Sequence, residues 1–124
     1  MTRLNIPKKP NKKFFQTIKS SDFKVKLTHE QLQNNVADCA KKRGWRVQYW
    51  WKSFHSPAGF PDLVLSRILP DSKRLIFAEL KSEKDKPTEA QKEWLDILKQ
   101  YPQNEVYLWY PKDWFSGSIE NILE

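Results

Sequence analysis

Apolar residues along the chain fall into two stretches of helical spacing and several short alternating runs. Leu32, Val36, Cys39 and Ala40 recur at helical intervals, which predicts a helix over about Thr28 to Arg43. Thr28 and Gln31 have the spacing of a capping box, Leu27 and Leu32 that of a hydrophobic staple, and Gly44 supplies the stop. From Trp45 to Lys52, Trp45, Val47, Tyr49 and Trp51 alternate with Arg46, Gln48, Trp50 and Lys52, the pattern of a half-buried strand. Trp50 is the odd member of the polar set, either packed under a loop or offered to a base or a partner subunit. Two further runs, Asp62 to Leu65 and Leu75 to Lys81, read as paired strands joined by a segment of turn composition from Ser66 to Arg74.

A second capping box, Thr88 with Gln91, introduces an apolar stripe of Trp94, Leu95, Leu98 and Tyr101. Pro102-Gln103-Asn104 breaks that helix, Glu105 to Tyr110 is a strand stopped by Pro111, and a short terminal helix begins at Asp113. Its Ile119, Ile122 and Leu123 need cover, from the core or from a second subunit. The order is helix, three strands, helix, strand, and a strand–helix–strand unit of this length makes a right-handed crossover. The predicted fold is therefore α/β, a small mixed β-sheet flanked by helices in the order αβββαβ.

Composition changes this picture in two places. The 124 residues suffice for one core, and the formal charge of +7 is unevenly spread. Residues 1–26 hold eight Lys and Arg against Asp22 alone, which leaves residues 27–124 formally neutral. The predicted organisation is a basic, flexible arm over 1–26 and a folded domain over 27–124. In the arm, Lys8, Lys9, Lys12 and Lys13 would bind phosphates by counterion release; the plainer role is solubility. Cys39 is the one cysteine, so no internal disulfide forms, a cysteine-based zinc site is disfavoured, and its place on the apolar stripe puts it in the core. No run reaches the about 18 apolar residues of a membrane span, and the first residues lack the apolar stretch of a secretory signal. A cytoplasmic protein is expected.

Candidate chemistry concentrates at Asp62, Glu79 and Lys81. The two-residue period of a strand puts Glu79 and Lys81 on one face, about 6–7 Å apart along it, with Leu80 turned into the core. An antiparallel return brings Asp62 beside them. Two carboxylates and an amine at one sheet edge make a site for a hard divalent cation with a lysine near a water. Gly59 allows an unusual backbone angle or the close approach of a phosphate. His55 is the histidine nearest in sequence to Asp62, and is either solvated or a phosphate or water contact. Lys84 and Lys86 lie in the charged loop after Lys81 as further candidate contacts to phosphates. Glu30, in the first helical turn, complements the helix dipole on the plainest reading.

Four blocks carry a resemblance: Gly59-Phe60-Pro61-Asp62-Leu63, Phe77-Ala78-Glu79-Leu80-Lys81-Ser82, Gln91-Lys92-Glu93-Trp94-Leu95 and Val106-Tyr107-Leu108-Trp109-Tyr110-Pro111. In that order they resemble the VRR-NUC (virus-type replication–repair nuclease) branch of the PD-(D/E)xK nuclease superfamily, over about Thr28 to Trp114. The resemblance implies a restriction-endonuclease-like core and metal-dependent hydrolysis of DNA phosphodiester bonds. It implies that Asp62 and Glu79 hold Mg²⁺, with Mn²⁺ able to substitute, and that the Leu80 carbonyl adds an oxygen. A first-helix glutamate often reaches the metal in this superfamily, and Glu30 is the candidate. Lys81 orients the attacking water and stabilises charge at phosphorus. Gln91 either caps its helix or serves as an amide orienting a water or phosphate near Lys81, the second being favoured.

Small members of this branch resemble viral and bacterial replication–repair enzymes. A chain with one site cuts two strands symmetrically only by pairing with a copy of itself. The specific expectation is a homodimer acting on branched DNA such as a Holliday junction, in a bacterial or phage-infected cell, with a nickase or flap nuclease as the alternative. Two other classes compete. A non-catalytic nucleic-acid-binding module accounts for the charge but gives no reason for Glu79 and Lys81 to share a face beside Asp62. A structural protein would use its Trp-rich surfaces for oligomerisation.

Overall fold

A computed structural model describes residues 26–50 and 58–124. The first helix, α1 (His29–Lys42), begins at the predicted capping box: Thr28 Oγ1 accepts the Gln31 N–H at 3.1 Å, and Gln31 Oε1 accepts the Thr28 N–H at 2.9 Å. It ends at Gly44, whose φ of 84° lets its N–H reach the Lys41 carbonyl while the Trp45 N–H reaches that of Ala40. These paired bonds are a Schellman motif. The reversal turns Trp45 inward, where it is 3% exposed.

Four strands follow in the order β1 (Arg46–Tyr49), β2 (Leu63–Leu69), β3 (Ser72–Leu80) and β4 (Asn104–Trp109), and they neighbour one another in that same order. β1, β2 and β3 pair antiparallel. β4 joins β3 in parallel after a crossover through α2 (Glu89–Lys99). The sheet is therefore mixed, and α1, three strands, a helix and a fourth strand succeed one another as the sequence pattern predicts. Trp51 and Lys52, the predicted end of the first strand, lie outside the described residues.

Two boundaries differ from expectation. The segment Ser66 to Arg74, predicted to be a connecting turn, is mostly strand: Ser66 pairs with Leu75, Arg67 with Arg74, Ile68 with Lys73 and Leu69 with Ser72. Only Pro70 and Asp71 turn the chain. Ladder hydrogen bonds sustain this tip beyond the core, and Ile68 is 73% exposed there, so the apolar pattern fades where the pairing does not. The terminal helix starts earlier and is broken into α3 (Pro111–Phe115) and α4 (Ser118–Leu123). Gly117, at φ 81°, reverses the chain between them.

The core forms on one face of the sheet. Leu32, Val36, Cys39 and Ala40 of α1 pack with Leu63, Leu65, Ile76, Ala78, Leu80 and Trp109, and α4 adds Ile119 and Leu123. The apolar residues at the end of the chain are thus covered by its own core. The carbonyls of α4 are also held: the Trp45 indole donates to Leu123 O at 2.8 Å, Arg74 to Ile122 O at 2.8 Å, and Arg67 to Leu123 O at 3.1 Å. On the opposite face Phe77 meets Phe60, which also makes edge-on contacts with Trp94 of α2 and with Trp50. Trp50 therefore touches the segment that leads to Asp62 while staying 39% exposed. Among the described residues no helix is long and apolar enough to cross a membrane.

Candidate active site

The pairing of Leu63 with Ala78 sets the register that brings the residue before β2, Asp62, to the end of β3. There the Leu80 N–H donates to Asp62 Oδ2 at 2.9 Å. Glu79 and Lys81 share a face, as their spacing requires, and Lys81 Nζ stands 3.4 Å from Glu79 Oε2. Leu80, between them, is 1% exposed in the core. The Glu79 residue is likewise 1% exposed, and neither of its carboxylate oxygens receives a hydrogen bond among the described residues. A buried carboxylate in that condition is costly, so it marks a place where another positive group belongs or where a proton is kept.

The electrostatics follow from this crowding. Burial pushes Glu79 up to about 8; the neighbouring Asp62 carboxylate adds to the rise and Lys81 opposes it. Burial works in the same direction on Asp62, but the hydrogen bond from His29, the adjacent Glu79 and the Leu80 N–H outweigh it and hold Asp62 below the usual carboxylate range. Two adjacent carboxyls are pushed apart, so that Asp62 carries the charge and Glu79 retains a proton near neutrality. His29 is raised, chiefly by its hydrogen bond to Asp62, with burial opposing.

His29 is the residue that sequence reasoning missed. It is the first residue of α1, and its Nε2 lies 3.0 Å from Asp62 Oδ2 across 33 positions of sequence. The expectation named His55 as the histidine near the site, and among the described residues it is His29 that stands there. His55 itself lies outside the described residues, as do Lys8, Lys9, Lys12 and Lys13. Glu30, one position on and about 100° around the helix, is solvent-exposed, and it is His29 that meets Asp62. No local pattern marks His29, because its partner stands 33 positions away in the sequence.

Gln91 sits at the start of α2 with its Oε1 accepting the Thr88 N–H at 2.8 Å, so the amide oxygen is occupied by the cap. Gly59 has a φ of 84°, and a Cβ there would lie 2.4 Å from the Ala90 carbonyl carbon and 2.7 Å from the Gln91 nitrogen. The close approach that glycine permits is thus to the first turn of α2. That contact ties the loop before Asp62 to the helix that carries Gln91. Lys84 and Lys86 are exposed in the loop following Lys81, in which the Ser82 hydroxyl bonds the Asp85 carboxylate.

Asp62 and Glu79 can hold a hard cation, since the first is charged and the second accepts no hydrogen bond among the described residues, with only the Lys81 amine at 3.4 Å from one of its oxygens. Among the described residues no three His, Cys, Asp or Glu side chains form a complete metal cage. A cation here would therefore keep water or substrate oxygens among its ligands. The VRR-NUC domain model matches residues 5–107, a span that includes Asp62, Glu79, Lys81 and Gln91 and also residues 5–25 outside the described part. No curated protein and no solved structure matches the chain. A match over most of the chain, on a mixed sheet with two acids and a lysine at one edge, makes this protein a member of the VRR-NUC family of nuclease domains, which act in replication and repair.

Proposed function

We propose that the chain is a Mg²⁺-dependent endonuclease that hydrolyses DNA phosphodiester bonds, with Asp62 and Glu79 holding the cation and Lys81 acting on the substrate. The observation that carries this reading is the buried Glu79 carboxylate, without a hydrogen bond, between Asp62 and Lys81. When bound, Mg²⁺, or Mn²⁺ in its place, supplies charge neutralisation at the phosphate and a more acidic water. The chain's own residues do the rest. Asp62, fixed by the Leu80 N–H, keeps its charge, and Glu79, once its proton has passed to solvent water, would hold the cation beside it. The Lys81 side chain is 13% exposed, so its amine can donate to the attacking water and to charge growing on the phosphate oxygens without full solvation. Gln91 would offer its amide NH₂ to the substrate, and the Leu80 carbonyl would be a further oxygen able to hold the cation.

Lys84, Lys86, His55 and the arm lysines Lys8, Lys9, Lys12 and Lys13 contact the DNA backbone. The substrate is branched DNA of the Holliday-junction type, and a pair of chains cuts it in the cytoplasm of a bacterial or phage-infected cell. Two chains provide two sites for two strands, whereas a lone chain would act as a nickase or flap nuclease. Purified protein should nick supercoiled plasmid in Mg²⁺ and stop on addition of EDTA. It should cut a four-way junction in preference to matched flap and linear duplex substrates, at the size of a dimer on calibrated gel filtration. An Asp62→Ala protein should bind the same DNA without cutting it. Cleavage by Asp62→Ala at the wild-type rate would remove the assignment, and DNA binding by wild type with no cleavage in Mg²⁺ or Mn²⁺ would leave a binding module.

A further inference from the structure

We infer that His29 is a positioning residue of this site: its imidazole fixes Asp62 through Oδ2 and leaves Oδ1 for the cation. The inference rests on the metal-dependent function proposed for Asp62 and Glu79. Two donors converge on the same oxygen from different elements, His29 Nε2 at 3.0 Å from α1 and the Leu80 N–H at 2.9 Å from β3. Together they restrict rotation of the carboxylate about its own axis, which a single bond would leave open. Each donor is itself anchored. Leu80 is buried in the core, and His29 follows an N-cap closed by reciprocal hydrogen bonds between Thr28 and Gln31.

The contact has the character of an orienting bond more than a structural one. His29 has 48% of its side chain exposed and Asp62 25%, so little apolar area is covered. The helix is already held to the sheet by Leu32, Val36 and Ala40, each fully buried. A neutral imidazole with its proton on Nε2 donates to a carboxylate as well as a charged one does in direction, so the role does not depend on the charge of the ring. Groups that orient a ligating carboxylate change metal affinity more than they change fold.

The test compares wild type, His29→Ala and His29→Gln. Glutamine carries an N–H the same number of bonds from Cβ as imidazole Nε2, so it can restore the bond without restoring the ring. Mn²⁺ binding to DNA-free protein is measured by calorimetry, and the Mg²⁺ midpoint of plasmid nicking is measured beside it. His29→Ala should raise both midpoints by about tenfold, with an unchanged melting temperature in EDTA, and His29→Gln should recover most of the shift. A merely structural role would lower the rate at every Mg²⁺ concentration and leave the midpoints in place. Midpoints equal to wild type in His29→Ala, or no recovery in a folded His29→Gln, would overturn the inference while the nuclease reading stands. A wild-type protein that binds no metal would overturn both.

Discussion

At the scale of single residues the two acids of the site behave oppositely, and Glu79 has the consequence that is simplest to measure. Its folded pKa of about 8 lies above the ordinary value of 4.5, so the protonated form favours the fold. That contribution is complete below about 4.5 and is lost as pH rises through about 8. The metal-free protein should therefore melt at progressively lower temperature between pH 5 and pH 8.5 by calorimetry in EDTA, pH values chosen to span roughly that interval. Glu79→Gln, which cannot ionise, should flatten this slope; an equal slope in both proteins would place the titrating group elsewhere. In the proposed function Lys81 acts on the substrate. Lys81→Ala should lower single-turnover cleavage by about 10²–10³-fold, the usual loss when one donor to a developing charge is removed, with DNA affinity changed little.

Elements decide how these side chains are aimed. Gly59 and Gly117 both have positive φ, but their surroundings differ: a Cβ at Gly59 meets the backbone of Ala90 and Gln91, and one at Gly117 meets nothing within 4 Å. Gly117→Ala should cost only the left-handed backbone, about 1–2 kcal/mol. Gly59→Ala adds a collision with backbone that cannot swing aside, typically about 1–3 kcal/mol more, and it also pushes α2 from the loop before Asp62. Chemical denaturation should rank the two in that order, and cleavage should fall in Gly59→Ala alone. The capping boxes at Thr28 and Thr88 were legible because reciprocal bonds three residues apart need only local geometry. The hairpin tip was not, because its pairing is maintained by a partner strand while its side chains face water.

Over the whole molecule, a second charged cluster closes the end of the chain onto the sheet. Arg74 makes a two-point contact with Glu105 at 2.7 Å for each bond and also caps the Ile122 carbonyl. Its guanidinium holds Glu105 below the usual carboxylate range, against the effect of burial. That contribution is therefore present above the ordinary carboxylate value of 4.5 and is lost as pH falls through the lower folded value. Arg74→Met should destabilise by about 2 kcal/mol at neutral pH, through the loss of charged hydrogen bonds and an orphaned carbonyl, and its deficit should shrink in acid. The basic residues 1–26 belong to the same scale. Their deletion should weaken DNA binding and reduce the slope of log K against log salt by about 0.9 for each phosphate no longer neutralised. An unchanged slope would leave them no part in binding. Disappearance of the melting transition would make them part of the folded domain, into which the family match extends from residue 5.

The local pattern was enough for the elements and for the spacing of the site. Helical recurrence and caps depend on neighbours within a turn, and strand alternation alone puts Glu79 and Lys81 on one face with Leu80 turned inward. The order αβββαβ and the shared face of Glu79 and Lys81 follow from these, whereas Asp62 joins them through the register of β2 on β3. Tertiary structure alone decided what has no local signature: the complete burial of Glu79, the protonation it imposes, and the arrival of His29 at Asp62 from 33 residues away. Register between strands and the seat of a helix on a sheet are set by the core as a whole. The partner of a functional side chain is therefore chosen by packing that no short window of sequence contains.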